Sequence, residues 1–342
     1  MVKRLLTFST NRIYELPILI LMPHSRCNCR CVMCDIWKAN NEKKEISTEE
    51  LVKHISSFEK LNVREVVFSG GEALMHSNLW KMCSLLKDHG IRITLLSTGL
   101  SIERNAVDIV KYCDEVIVSL DGDQETHDRI RNIPGAFEKL ATGVAAIKTL
   151  SQNFPVKGRC VLQRLNYREF DKIVEASRKI RLDQISFLAA DTTSTAFNRE
   201  VQWPKEKIND ISLNLEQANE LEKIFVNSFS KSRGLYESGF IAESMMKILA
   251  IAKYYKAING LGSFPKPKCN APWVSAVVES DGTVRPCFFH ESLGNFHEAD
   301  FNTIVNSPKA MRFRRELDVS KNEICARCVC SLHVGLTKAF GN

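Results

Sequence analysis

Hydrophobic and polar positions in the first two-thirds of the chain switch repeatedly between two periods. Short β-rich runs at residues 18–22, 65–69, 91–97, 115–120, 156–163 and 184–189 alternate with longer stretches of helical spacing at 47–60, 78–89, 101–111, 136–149 and 168–180. The first of these helices opens with Ser47-Thr-Glu-Glu50, the spelling of a capping box. Six strand–helix units predict a parallel sheet with right-handed crossovers. Periodicity alone does not choose between an open or partial barrel and a doubly wound sheet, but either gathers chemistry on the loops after the strands. Segments 213–229 and 241–257 read as amphipathic helices leading into a different C-terminal third.

Composition adds one outlier. Twelve cysteines occur in 342 residues, a chain long enough to bury a core without disulfides. No signal-peptide layout is visible at the N-terminus, and the longest apolar run, 16–22, is far too short to span a bilayer. A cytoplasmic chain with thiols for metal or redox work is expected, with no membrane role. The net charge of +7 permits an anionic substrate, but the basic residues are scattered, which argues against nucleic acid.

Four cysteines lie at 27, 29, 31 and 34, and five at 269, 287, 325, 328 and 330. Cys83, Cys113 and Cys160 sit singly in apolar patterns and read as core. The first group follows the first strand. Ser69-Gly70-Gly71-Glu72 follows the second strand, Ser97-Thr98-Gly99 the third and Ser119-Leu120-Asp121-Gly122 the fourth. Cys27, Cys31 and Cys34 offer three soft ligands in C-x3-C-x2-C spacing, leaving one position of a four-iron cluster open for chemistry. With Cys29 as a fourth thiolate, the loop would instead close around a structural zinc or cluster.

These motifs, in this order, resemble the radical S-adenosylmethionine enzymes, whose three-cysteine signature follows the first strand of a partial (β/α)6 barrel and whose Gly-Gly-Glu motif follows the second. The resemblance implies a [4Fe–4S] cluster on Cys27, Cys31 and Cys34, with S-adenosylmethionine on the open iron. Reductive cleavage to a 5′-deoxyadenosyl radical and abstraction of a substrate hydrogen atom would follow, with Cys29 a bystander. It also implies cofactor contacts from Gly70, Gly71 and Glu72, the last near the methionine amino group. Ser97 and Thr98 would reach the ribose, Ser119 and Asp121 match an S-x-D pattern, and Arg131 of His127-Asp-Arg-Ile-Arg131 would meet the methionine carboxylate. Met33 stands where the family usually has an aromatic residue and can still pack on adenine, with Trp37 an alternative.

Cys269, the Gly282-x4-Cys287 hairpin, Gly294-Asn295 and Cys325-x-x-Cys328 could on their own form a zinc ribbon. Their arrangement resembles the SPASM extension of the same superfamily or its shortened Twitch form. With only Cys330 beyond Cys328, one auxiliary [4Fe–4S] cluster is implied, on Cys269, Cys287, Cys325 and Cys328. Cys330 is an alternative ligand, a spare thiol or a hydrogen donor. The implied organisation is a barrel at 1–210, linking helices at 211–262 and the iron–sulfur subdomain at 263–342. The expected reaction is oxidation or epimerisation of a small polyol, sugar or aminocyclitol, with the auxiliary cluster as electron acceptor and flavodoxin or ferredoxin as donor. Only 26 residues precede Cys27, which weighs toward a small molecule. Modification of a ribosomal peptide or protein is the alternative, and a non-catalytic electron carrier a third. Asp191, Arg199, Trp203, His290 and Cys330 are the candidate substrate-side residues.

Overall fold

The computed structural model describes residues 2–199 and 201–336. Helix α1 (Val2–Thr10) leads into β1 (Ile18–Leu21), and five further strands follow: β2 (Glu65–Phe68), β3 (Arg92–Ser97), β4 (Glu115–Ser119), β5 (Val156–Leu162) and β6 (Gln184–Ala189). The crossovers carry α2 (Thr48–Lys60), α3 (Leu79–Asp88), α4 (Ile102–Tyr112), α5 (Gln124–Arg131), α6 (Ala136–Leu150) and α7 (Phe170–Lys179). All six strands are parallel and in sequence order. This is the partial (β/α)6 barrel rather than a doubly wound sheet, because the order never reverses.

Beyond β6 come α8 (Lys205–Ile211), α9 (Leu215–Glu237), α10 (Met245–Ile258) and the short α11 (Ala271–Val274). The sheet then continues on the other side of β1. There β7 (Ser275–Val278) pairs parallel with β1, and β8 (Thr283–Arg285) and β9 (Gly294–Asn295) add antiparallel. Helices α12 (Phe301–Val305), α13 (Pro308–Glu316) and α14 (Glu323–Ala326) are the last elements among the described residues.

Side chains on β5 show which face is the lumen. Gly158 and Cys160 point into the core, where a Cβ on Gly158 would lie 2.6 Å from Ile185. The alternate positions Lys157, Arg159 and Val161 therefore face inward. Lys157 joins Glu115, and the Thr94 hydroxyl donates to Glu65 at 2.6 Å, a polar layer at the strands' N-terminal ends. Val161 packs with Met33, Ala190 and Trp203 at the opposite mouth.

The extension is bolted to the barrel through His54 on α2. Its Nε2–H donates to Phe296 O at 2.9 Å and its Nδ1 accepts from Phe301 N–H at 3.2 Å, while its ring stacks on Phe296, which stacks in turn on Phe58. Of the capping box expected at Ser47, half forms. Ser47 Oγ accepts the Glu50 N–H at 3.1 Å, but the Glu50 carboxylate turns away to His297 of the extension. The segment expected to be helical from 241 begins only at Met245. Ile241 instead bridges to Ile185 and covers the free edge of β6.

Candidate functional site

The first cysteine group leaves β1 and is gripped from three sides. Gly71 packs so closely on it that a Cβ would fall 2.0 Å from Arg26 O, and Glu72 N–H donates to that same carbonyl at 3.0 Å. Gly70, at φ +98°, fits against Met22 in a conformation other residues avoid. Asn40 brackets Cys27, accepting its N–H at 2.8 Å and donating to its carbonyl at 3.0 Å. On the third side, at the end of α5, Ile130 O accepts the Val32 N–H (3.0 Å) and Arg131 O accepts the Arg30 N–H (3.3 Å).

Within this loop the sulfurs have unequal surroundings. Burial pushes the Cys27 thiol up to about 12 and the Cys34 thiol up to about 11. Cys31 moves the other way, because the Cys29 thiol donates to it and the Arg131 guanidinium faces it at 3.5 Å. Cys29 is correspondingly raised. Cys27 accepts the Cys29 N–H and Cys34 the Ile36 N–H, so every sulfur of the expected trio receives a donor.

Glu72 is fully buried, and its carboxylate is occupied by protein. Thr98 donates to Oε2 through its N–H (2.6 Å) and its hydroxyl (2.5 Å). Ser97 Oγ lies 3.1 Å from both oxygens, and Leu74 N–H donates to Oε1 at 3.3 Å. Burial raises its pKa and these donors oppose the rise. Ser97 and Thr98 thus tie the β3 loop to the Gly-Gly-Glu turn. Ser119 ends β4 level with Arg159 on β5.

Asp121 is fully buried and pairs with Arg131. Its Oδ1 also accepts the Val161 N–H at 3.1 Å, and its own N–H donates to His127 Nδ1 at 3.2 Å. His127 is held neutral, its pKa lowered to about 3 by burial and by Arg131. Helix α5, which has almost no apolar periodicity, forms because Asp123 caps it and buries this polar trio.

The second cysteine group shows a regular pattern of N–H to sulfur contacts. Cys269 accepts from Ala271 N–H (3.5 Å) and Cys328 from Cys330 N–H (3.3 Å), while Cys287 accepts from the N–H groups of Phe289 and His290. Cys325 lies in α14 and accepts from His290 Nε2 at 3.4 Å. Cys330 is exposed, toward Arg159 and Asp191.

After β6, Asp191 and Arg199 pair with each other at 3.0 Å rather than presenting a free base and a free cation. Asp191 also accepts from the backbone of Thr193 and Ser194. Arg199 stacks 3.8 Å above Trp203, whose indole N–H donates to Asp35 at 2.6 Å, just past Cys34. A cavity of about 270 Å³ runs from Asp191, Thr193 and Ser194 to Phe289, Arg327 and Cys328. The loop after β6 and the second cysteine group therefore line one space.

Comparison with known proteins agrees with this geometry. The profile of the radical SAM superfamily matches residues 21–227, and that of the SPASM iron-sulfur cluster-binding domain matches residues 269–329. The chain belongs to the radical SAM superfamily. Fe-coproporphyrin III synthase of Methanosarcina barkeri is 25% identical, with 95% of this chain and 85% of that one covered. The cysteine-type anaerobic sulfatase-maturating enzyme of Clostridium novyi is 24% identical over 92% and 85%. Streptococcus suis SuiB bound to S-adenosylmethionine shares the fold at a TM-score of 0.65 and 14% identity, over 95% of this chain and 75% of that one.

As a radical SAM enzyme with a SPASM domain, the chain takes two [4Fe–4S] clusters and S-adenosylmethionine. Its residues suit them, since both cysteine groups offer soft thiolates already supplied with N–H donors. Gly71 leaves backbone where a side chain could not stand. Among the described residues no helix is long and apolar enough to cross a membrane. Sequence reasoning missed Asn40, Asn166 and Asp35. None stands in a motif, and Asn166 shows its part only once folded, donating to Asp121 O at 2.9 Å and Val161 O at 3.1 Å.

Proposed function

We propose that this radical SAM enzyme removes a hydrogen atom from a carboxylate-bearing organic substrate and passes one electron of the resulting substrate radical to the auxiliary cluster. The observation that carries the reading is the shared cavity, whose walls join the Asp191 loop to Cys328. At about 270 Å³ it lies just below the usual range of ligand-pocket sizes. It suits a small molecule or one arm of a larger one.

Cys27, Cys31 and Cys34 would hold the first cluster, which with S-adenosylmethionine would supply the 5′-deoxyadenosyl radical. The chain's own residues do the rest. The locked Asp191–Arg199–Trp203–Asp35 chain fixes one wall of the mouth. Arg159 faces the lumen beside Ser119 and Ser186, touching Ser186 Oγ at 3.4 Å, and makes no ion pair of 4.0 Å or less among the described residues. A guanidinium in that setting suits a carboxylate. Cys269, Cys287, Cys325 and Cys328 hold the acceptor, and a flavodoxin or ferredoxin supplies the priming electron.

Relatives bear on the substrate class. Besides the Fe-coproporphyrin III synthase, an AdoMet-dependent heme synthase of the same organism is 26% identical over 88% of each chain. This supports a tetrapyrrole whose carboxylate-bearing arm enters the cavity. The sulfatase-maturating relative supports a peptide as the second reading. The expected polyol or aminocyclitol finds no support among these relatives. Reconstituted holoenzyme with S-adenosylmethionine and dithionite is expected to form 5′-deoxyadenosine faster with iron coproporphyrin III than with a cysteine-containing peptide. It should also release carbon dioxide, because an arm radical one carbon from the carboxymethyl group that breaks its bond to the carboxylate leaves a carbon–carbon double bond, carbon dioxide and the one electron that the auxiliary cluster would take. Faster turnover with the peptide overturns the tetrapyrrole reading in favour of the second.

A further inference from the structure

At both cysteine groups, most of the sulfurs are supplied by the backbone N–H two residues on. The pairs are Cys27 with Cys29, Cys34 with Ile36, Cys269 with Ala271, Cys287 with Phe289 and Cys328 with Cys330. Two sulfurs break the pattern. Cys31 is met by the Arg131 side chain, and Cys325 by the His290 side chain. The reason at Cys325 is local. It sits inside α14, where the N–H two residues on, that of Arg327, already donates to Glu323 O at 3.2 Å.

His290 is well fixed for this task. It is 5% exposed, its ring packs edge-on against Phe313, and its carbonyl accepts from Arg285 at 3.1 Å. A thiolate ligand only accepts, so Nε2 must carry the hydrogen.

We propose that His290 is a positioning residue for the auxiliary cluster, its Nε2–H completing the donor set around the four thiolates and raising the cluster's reduction potential. A hydrogen bond to a ligating sulfur stabilises the more negative, reduced cluster over the oxidised one. The step served is one electron entering the oxidised [4Fe–4S] cluster from the substrate radical, with no proton required at His290. The inference rests on the reading of that cluster as electron acceptor, but its measurement needs no substrate.

Reconstituted holoenzyme carrying His290→Phe, which keeps a ring against Phe313 but has no donor, and His290→Gln, which offers an N–H, is titrated anaerobically under electron paramagnetic resonance. At the potential where half of the wild-type auxiliary clusters are reduced, His290→Phe is expected to show a tenfold lower reduced-to-oxidised ratio, 59 mV for one electron. His290→Gln should recover at least half of that shift, and the first cluster should titrate unchanged in both. Wild-type midpoints in His290→Phe with full iron content overturn the proposal and leave a packing role. Iron near four per chain in His290→Phe also overturns it, since His290 would then be needed to hold the cluster. If wild type forms no 5′-deoxyadenosine while the midpoint shifts, the proposed function fails and this inference stands.

Discussion

A Cβ placed on Gly71 would lie 2.0 Å from the carbonyl oxygen of Arg26. The Gly-Gly-Glu turn is thus a clamp on the backbone that leads into Cys27, and glycine is there for proximity. Gly71→Ala must push that backbone aside, which costs at least about 1–3 kcal/mol. The expected outcome is selective loss of the first cluster, with iron falling from near eight to near four per chain after reconstitution. Iron that stays near eight would show that the turn yields.

Cys328 and Cys330 separate by the same measurement. Cys328 accepts an N–H and faces both Cys269 and Cys287, whereas Cys330 is exposed, facing Arg159, Asp191 and only Cys287 of the four expected ligands. Cys328→Ala should leave about four irons per chain and Cys330→Ala about eight. The reverse result would move the ligand assignment by two residues.

Asp121 and Arg131 form a buried pair, and removing one partner strands the other. Asp121→Ala leaves a guanidinium with no carboxylate inside the protein, and breaking such a pair costs about 3–5 kcal/mol. Urea unfolding of the cluster-free chain should show a loss of that size, and Asp121→Asn a smaller one. A loss below about 1 kcal/mol would mean that Arg131 finds another partner.

Acid should destabilise the cluster-free fold before carboxylates matter. His24 donates through Nε2–H to Glu72 O and accepts the Arg26 N–H at Nδ1, each at 2.9 Å, so it is held neutral. Burial, Arg26 and His76 lower its pKa to about 4. A folded pKa below the unfolded 6.5 means the unfolded chain binds the extra proton between those values. Stability is therefore complete above pH 6.5 and is lost as pH falls toward 4, by up to about 3 kcal/mol for His24 alone. His54 and His76 are shifted in the same direction by burial and add to the slope. Urea midpoints measured from pH 7.5 to 4.5 should fall steeply, and less steeply in His24→Gln. Parallel curves would show that His24 takes up its proton without cost.

Strands, crossovers and thiolate spacing were legible because each is written locally, in runs of Val, Ile and Leu or in cysteines a few residues apart. What depends on distant partners was not. Ser97 and Thr98 read as ligand-facing hydroxyls, yet both turn onto Glu72, 25 and 26 residues away. Asp191 and Arg199 read as possible substrate contacts, and nothing in their spacing announces that they neutralise each other. Helix α5 carries no apolar stripe to betray it. It is stabilised by His127 and Arg131, buried polar residues whose partners come from the loop after β4 and from the cysteine loop. The backbone-bridging histidines 24, 54 and 76 leave no pattern, since each joins backbone groups from separate turns.

The pairing of β1 with β7 has a consequence for synthesis. One edge of β1 can pair with β2 once residue 68 is made, but its other edge waits for Ser275–Val278. At roughly 5–20 residues per second the nascent chain carries that open edge for about 15–50 s. During that interval the first cysteine group has left the ribosome and the second has not. An exposed strand edge invites wrong pairing, so β1 stays at risk until the chain has been made as far as β7, just past the first cysteine of the second group.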